Sequence, residues 1–159
     1  MEEKVKELIK KLYSKDGIER QKARHELVKI GVPVINYLGK LQFEPKQQVR
    51  WEALKALSQI AAPESIPILI NALENDDFDV RWLAAEGLIH IGKSSVKPLL
   101  EAIVEKEDSV YLREGAHHIL KDLVAKNLYD DEYGIINLLE KYSVKPELAL
   151  MAKKNLSGI

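Results

Sequence analysis

The chain carries one pattern of apolar and polar positions four times, at nearly constant intervals. Each copy has an arginine, an alanine three residues later, and apolar residues seven and ten positions after the arginine. The copies are Arg20/Ala23/Leu27/Ile30, Arg50/Ala53/Leu57/Ile60, Arg81/Ala84/Leu88/Ile91 and Arg113/Ala116/Leu120/Leu123. Successive copies are 30, 31 and 32 residues apart. The spacing within a copy predicts an amphipathic helix, and a period of about 30 residues predicts a helical solenoid.

A second apolar stripe precedes each copy, so each unit is predicted to be a pair of helices. The stripes are Val5/Leu8/Ile9/Leu12, Val34/Ile35/Leu38, Ile66/Leu69/Ile70/Leu73 and Val96/Leu99/Leu100/Ile103. Because one hairpin cannot bury both of its faces, neighbouring units must stack. The pattern predicts an all-α fold, an α-α superhelix of about five helical hairpins with no strands. It predicts a single domain over 1–159, with units at about 1–31, 32–62, 63–93, 94–125 and 126–159.

Glycine, proline and aspartate mark the ends of the predicted helices. Gly31 and Gly92 follow the last apolar residue of a second helix, where a left-handed cap is favoured. The run Asp-Asp-Phe-Asp at 76–79 predicts a capped helix start. Prolines between second helices and the next first helices fit a first helical turn; they are Pro33, Pro63, Pro67 and Pro98.

The tail predicts a fifth hairpin that departs from the repeat. The step from Ala116 to Ala152 is 36 residues, and the stretch 126–134 is predicted to be the most irregular part of the stack. The acidic run 130–132 is interpreted as charge at a helix start. Because open solenoid ends can stack, a monomer or a weak homodimer through the tail is expected. The apolar positions of the two helices are Ile135/Ile136/Leu138/Leu139 and, after Pro146, Leu148/Ala152/Leu156.

The third unit contains a phrase that is typical of one repeat family. It reads Asp76-x-x-Asp79-Val80-Arg81-x-x-Ala84-Ala85-x-x-Leu88-x-x-Ile91-Gly92. In this phrase the chain resembles the HEAT-like repeats, particularly the short repeats of the phycobilisome-lyase type, over about residues 1–125. The resemblance implies that second helices line a concave surface. It also implies that the repeat arginine and the capping aspartate form a ladder between units, so Arg50 and Arg81 are interpreted as structural.

Composition narrows the classes of function. The 159 residues include 24 basic and 25 acidic side chains, for a net charge of −1, whereas a protein that grips phosphate backbones needs clustered cations. The absence of cysteine excludes disulfides, thiolate nucleophiles and zinc–sulfur sites. The start has no long apolar stretch, and no later run approaches membrane-spanning length. A cytoplasmic protein is therefore expected.

Outward positions of the second helices supply the candidate binding residues. Removal of the buried repeat positions leaves four places in each unit: Gln21, Lys22, His25, Lys29; Trp51, Glu52, Lys55, Gln59; Trp82, Leu83, Glu86, His90; and Glu114, Gly115, His118, Asp122. The predicted partner-binding groove consists of Trp51, Trp82, Lys55, Leu83, Glu86, His90, His25 and His118.

The two tryptophans occupy equivalent positions in adjacent units. Because stacked helices lie about 10 Å apart, Trp51 and Trp82 are predicted to form a short aromatic ladder with Leu83 beside it. Tryptophan dominates binding hot spots, so a binding role is one interpretation. The other is that the rings pack on arginine or lysine stems of the next helix.

The histidines predict no metal site. His90 and Glu86 are four residues apart on one helix, and two ligands alone make a poor site, so a solvated pair is expected. His25 and His118 are too far apart in the stack to share an ion. His117 aligns with apolar positions and is predicted to be a partly buried packing residue. We expect neither a metal nor an organic cofactor.

An enzyme on the same scaffold is one alternative. Deoxyhypusine hydroxylase has HEAT-like units and holds two irons through repeated His-Glu pairs, one of which His25-Glu26 resembles. One pair cannot assemble a di-iron centre, and the aligned places hold Lys55-Ala56, Glu86-Gly87 and His118-Ile119. A bilin lyase-like function is a related alternative that rests on family likeness. No phosphate loop, nucleophile elbow or paired-carboxylate motif appears, so the chain is expected not to be an enzyme.

Nucleic-acid binding is the other alternative, since some HEAT-like glycosylases cradle DNA. The first two units are mildly basic, through Lys22, Arg24, Lys29, Lys40, Lys46, Arg50 and Lys55. Glu26, Glu44 and Glu52 interrupt this run, which disfavours phosphate binding. The mixed groove instead favours a non-enzymatic scaffold that binds a partner helix or an extended peptide.

Overall fold

The computed structural model describes residues 1–141 and 145–159, without the side chains of 145 and 146. Over this part the chain forms ten α-helices and no strand, which confirms the predicted fold class. None of these helices is both long and apolar enough to cross a bilayer. They are α1 Glu2–Lys11, α2 Gly17–Ile30, α3 Ile35–Lys40, α4 Gln47–Ile60, α5 Ile66–Ala72, α6 Phe78–Ile91, α7 Val96–Glu105, α8 Val110–Ala125, α9 Ile135–Glu140 and α10 Lys145–Ser157.

Successive helices pair into hairpins, and the hairpins stack through their second helices. The helix α2 packs on α4, α4 on α6 and α6 on α8, while α5 packs on α7 among the first helices. The repeat alanines are buried between the helices and allow a close approach, because a methyl group is the only side-chain bulk. The repeat leucines fill the layers; they are Leu27, Leu57, Leu88 and Leu120, all fully buried.

Side-chain caps begin three of the four repeat helices. Asp16, Asp77 and Ser109 accept hydrogen bonds from backbone N–H groups in the first turns of α2, α6 and α8. These contacts satisfy donors that a helix start otherwise leaves free. The start of α4 has Lys46 at this place, and its side chain makes no capping bond. The cap predicted within 76–79 is thus confirmed at Asp77, and α4 alone of the four second helices lacks a side-chain cap.

Both predicted glycine ends have backbone conformations that favour glycine. Gly31 and Gly92 have φ of 75° and 81°, with ψ of −134° and −135°. This region differs from the left-handed helical cap expected from the sequence, and side chains are almost excluded from it. The true left-handed cap lies after α4, where Ala61 has φ 49° and ψ 35°.

Each repeat arginine ties its own helix to the loop before it. Arg20, Arg50 and Arg81 donate to the carbonyl oxygens five and six residues earlier, and Arg113 donates to the one six residues earlier. Arg50 also donates from Nε and Nη2 to Asp77 Oδ2 of the next hairpin, at 3.1 and 2.5 Å. The Arg–Asp ladder implied by the resemblance is therefore present between α4 and α6.

The neighbouring rungs differ because the capping residue differs. At the start of α4 the cap is the cation Lys46, and Arg20 instead places Nε 3.5 Å from Glu52 Oε1. At the start of α8 the cap is Ser109, and the Arg81 guanidinium lies 3.9 Å from the ring centroid of Tyr111. The equivalent arginines thus have different partners on the next second helix. Arg20 lies near Glu52, Arg50 binds the capping Asp77, and Arg81 stacks on Tyr111.

Asp77 is the acid-sensitive member of this ladder. Burial by itself would raise the pKa of its carboxyl, but hydrogen bonds from Arg50 and from the backbone of Asp79 and Val80 outweigh it and lower the pKa. A carboxylate with a lowered pKa stabilises the fold fully above its unfolded pKa of about 4. That stabilisation is lost as the pH falls from there through the lower, folded pKa.

Replacement of Asp77 by asparagine is expected to lower the free energy of unfolding by about 1–2 kcal/mol at pH 7. Because Asn can still cap α6, the variant isolates the charge of the contact with Arg50. Urea unfolding between pH 6 and pH 2 should show a smaller loss of stability on acidification in the variant than in the native protein. Parallel pH profiles would contradict the assignment, and the exposed Asp76→Asn is the control.

The C-terminal hairpin packs in the opposite order to the others. In the repeats second helices stack on second helices, whereas α9 packs on the second helix α8 and α10 packs on the first helix α7. The 36-residue step from Ala116 to Ala152 is therefore not a repeat step, because the two helices occupy different layers. Residues 142–144 of the predicted fifth unit lie outside the described residues.

The irregular stretch 126–134 is fixed by side-chain contacts. The two carboxylate oxygens of Asp131 accept from the N–H groups of Ile135 and Ile136 at 2.7 and 3.0 Å, which confirms an acidic start for α9. The Tyr129 hydroxyl donates to Asn155 Oδ1 at 2.6 Å and fastens the stretch to α10. The C-terminal hairpin thereby packs over α7 and α8 at one end of the core.

Candidate binding face

The second helices α2, α4, α6 and α8 carry a grid of side chains on the side that faces away from the core, and we call this side the second-helix face. Residues four apart lie on one side of a helix, so each helix contributes a row of four places. All of these places are exposed or half-buried. They are Gly17, Gln21, His25, Lys29 on α2; Gln47, Trp51, Lys55, Gln59 on α4; Phe78, Trp82, Glu86, His90 on α6; and Val110, Glu114, His118, Asp122 on α8.

Large apolar side chains lie exposed at the N-terminal end of three of these helices. Trp51 is 36% exposed, Trp82 48% and Phe78 66%, and Val110 and Tyr111 are exposed at the start of α8. At the edge of this group Arg81 contacts two of the rings. Its guanidinium lies 5.7 Å from the Phe78 ring centroid and stacks on Tyr111. We call Trp51, Phe78, Trp82, Val110 and Tyr111 the apolar patch.

The two tryptophans are each held by a neighbouring helix, but not by one another. The Arg24 guanidinium lies 5.4 Å from the Trp51 ring centroid. The His118 ring stacks on Trp82, with centroids 5.2 Å apart and planes at 28°, and its Nε2 lies 3.3 Å from Glu86 Oε1. Among the described residues the ring partner of Trp82 is therefore His118, and no ring contact joins Trp51 to Trp82. Each ring keeps a large exposed area nonetheless.

Two residues predicted to face outward are buried. Leu83 is 3% exposed and Glu52 is 5% exposed. Both stand two places after the repeat arginine, and this position faces the preceding second helix once the hairpins stack. Leu83 joins the apolar core, and Glu52 accepts a hydrogen bond from Arg24 Nη1 at 2.5 Å. Leu83 therefore does not line the face, and the outward places of α4 and α6 differ in part from the predicted ones.

The predicted His90–Glu86 pair is not formed, because each side chain turns to a different helix. His90 Nδ1 lies 3.3 Å from Ser58 Oγ and 3.2 Å from the Ser58 carbonyl oxygen on α4, while Glu86 contacts His118 on α8. In the described ranges no group of three or more His, Cys, Asp or Glu side chains is placed to hold a metal. His25 is exposed, with Arg24 Nη2 3.5 Å from its Nε2.

His117 is partly buried, as predicted, and it has a partner that the sequence did not indicate. Its Nε2 lies 2.9 Å from Glu140 Oε1 on α9. Because α9 packs on α8, this contact connects the last repeat helix to the reversed hairpin. His117 is therefore a structural contact on the side of α8 that faces the tail.

Sequence reasoning missed Phe78, Val110 and Tyr111 as surface residues. Phe78 was assigned to a capping segment, yet it is the first residue of α6 and stands four places before Trp82 on the same side. Val110 and Tyr111 begin α8 in the same way. The signal that could have found Phe78 and Val110 is the four-residue step back from the tryptophan position in each unit.

Comparisons with known proteins agree with this architecture. A family model described as HEAT repeats matches residues 5–78 and 35–121. No curated protein sequence gives a significant match. The structure is similar to that of the complex of CpcE and CpcF of phycocyanin lyase from Nostoc sp. PCC7120, with 20% identity and a TM-score of 0.62 over 95% of this chain and 96% of that chain. A designed armadillo repeat protein in complex with the peptide (KR)4 is also similar, with 20% identity and a TM-score of 0.45 over 96% and 86% of the two chains.

Proposed function

The chain belongs to the HEAT-repeat family, and we propose that it is a non-enzymatic scaffold whose second-helix face binds a protein partner. The observation that carries the proposal is the apolar patch, where both tryptophans and Phe78 are exposed on adjacent helices. Exposed aromatic clusters of this kind mark interaction sites, and tryptophan is enriched in binding hot spots. The similar CpcE–CpcF structure is itself a complex of two proteins, which supports a protein partner.

The tryptophans are held in position before any partner arrives. Trp82 stacks on His118, and Trp51 lies beside Arg24, whose guanidinium is anchored by the buried Glu52. A side chain that is already ordered loses less conformational entropy on binding, so more of its contact energy contributes to affinity. The surrounding contacts therefore favour recognition by a rigid surface.

The cations of the first two hairpins support a protein partner over a nucleic acid. Arg24 is buried against Glu52, Arg50 is bound to Asp77, and Lys29 Nζ lies 2.7 Å from Glu26 Oε1. Cations already paired in this way offer little free charge to a phosphate backbone. Three of the seven cations of the mildly basic run, Arg24, Lys29 and Arg50, are therefore already paired with carboxylates.

Replacement of both Trp51 and Trp82 by alanine is expected to weaken partner binding by at least about tenfold for each tryptophan removed. Both rings are exposed, so circular dichroism should show an unchanged helical content. The measurement is capture of a partner from native extract on the immobilised protein, followed by titration of the purified pair. Tyr37→Ala is the matched control, since Tyr37 on the first helix α3 is about as exposed as Trp51. A partner that the double variant retains, or that the control loses, would contradict the proposal.

A further inference from the structure

Charge is divided across the second-helix face. The charged grid places of α2 and α4 are Lys29, which is paired with Glu26, and the half-buried Lys55, which has no carboxylate within 4 Å among the described residues. On α8 Glu114 likewise has no basic partner among them, and on α6 Glu86 contacts only the imidazole of His118. At the grid places, the charged side chains of α2 and α4 are therefore basic and those of α6 and α8 are acidic.

The apolar patch lies along one edge of this divided field. Trp51 belongs to the positive half, whereas Phe78, Trp82 and Val110 belong to the negative half. A partner that covers the patch must therefore cross both halves. Because like charges placed opposite one another weaken an interface and opposite charges favour it, the partner needs its own charge divided in the reverse sense.

The side chains of the face favour a helical partner over an extended one. An extended peptide leaves its backbone N–H and C=O groups to be satisfied by the surface, whereas a helix satisfies them itself. The amide side chains of the grid are Gln21, Gln47 and Gln59, all on α2 and α4. The grid places of α6 and α8 carry no amide side chain to pair with a peptide backbone.

The dimensions of the face set the length of that helix. Neighbouring helices in a stack lie about 10 Å apart, so the four second helices span about 30 Å, which corresponds to about 20 residues of α-helix. We propose that the second-helix face takes an amphipathic α-helix of about this length, acidic over α2 and α4 and basic over α6 and α8. This inference rests on the proposed protein-binding function and specifies the chemistry of the partner.

The probe is a displayed library of 20-residue helices with an apolar side and with Glu, Lys or Gln allowed at every polar position. Selection on the native protein is expected to enrich helices with Glu in one half and Lys in the other. An enriched helix should bind about tenfold more tightly than a helix of the same composition with alternating charges. The Lys55→Glu/Glu114→Lys variant, which keeps the net charge and removes the division, should reduce that ratio to about one.

The outcomes separate this inference from the proposed function. Enriched helices that need Trp51 and Trp82 but show no charge division would overturn the inference and leave the binding face intact. Enriched helices that bind the double tryptophan variant equally well would overturn both. A library that yields no binder would overturn the helical partner, while capture from native extract still tests the face.

Discussion

Replacement of Glu52 by alanine is expected to lower the free energy of unfolding by about 3–5 kcal/mol. Glu52 is buried between α2 and α4, where its carboxylate accepts from Arg24 and lies near Arg20. Removal of the carboxylate leaves the buried Arg24 guanidinium with the amide oxygen of Gln59 at 3.2 Å as its remaining side-chain acceptor on α4. An uncompensated buried cation is far more costly than the loss of an exposed ion pair. Urea unfolding at pH 7, followed by circular dichroism, measures the change.

The matched control replaces both members of the pair. The places equivalent to Arg24 and Glu52 in the next junction hold Leu54 and Leu83, both buried. The double variant Arg24→Leu/Glu52→Leu is therefore expected to recover most of the stability, since two apolar side chains replace two compensated charges. Glu114→Ala, at an exposed place, should change stability by no more than about 0.5 kcal/mol. A double variant no more stable than Glu52→Ala would show that the contact is not the cause.

Replacement of Gly87 by valine is expected to lower the free energy of unfolding by about 3 kcal/mol, through overpacking between α4 and α6. A Cβ atom at Gly87 would lie 3.2 Å from the Ser58 Cα and 2.9 Å from Leu69 Cδ1. The leucine tip can rotate, but the Ser58 Cα moves only if α4 moves. The two helices must then separate, and buried contacts along the whole junction are weakened.

Gly115→Ala is the control for this second prediction. The three heavy atoms nearest to its Cβ would all belong to the side chain of Leu73, the first at 3.0 Å. A flexible side chain can yield, and alanine favours a helix over glycine by up to about 1 kcal/mol, so stability should stay within about that amount. Thermal unfolding of both variants provides the comparison. Equal losses would mean that backbone contact does not set the cost.

The fold could be predicted from the sequence because each stacked unit repeats the same apolar positions at a nearly constant spacing. The recurring alanine and leucine fix the side of each second helix that faces the core, and the structure places them there. The reversed C-terminal hairpin could not be predicted in this way. The packing order of this hairpin depends on whether α10 contacts α7 or α8. The hairpin occurs once in the chain, so no repeat spacing indicates which of the two it contacts.

The candidate binding face could be predicted in part. The surface placement of Trp51 and Trp82 followed from their common position, but their ring partners did not. Arg24 and His118 reach these rings from neighbouring helices, and such contacts depend on side-chain rotamers across a junction. The burial of Leu83 could not be predicted from the spacing within one helix. That spacing shows which residues face the core of their own hairpin, but it does not show which residues face the second helix of the neighbouring hairpin.

The three junctions between second helices are chemically unlike. At equivalent places they hold a salt-bridged pair, a pair of leucines and a pair of the smallest residues, namely Arg24/Glu52, Leu54/Leu83 and Ala85/Gly115. A gene rearranged to join the third hairpin directly to the first would set the guanidinium of Arg24 against Leu83, with no carboxylate in reach. The order of the hairpins is therefore specified by the side chains at their junctions. Reordering the hairpins or deleting an internal one would place unmatched side chains against each other and destabilise the stack, although the backbone repeats.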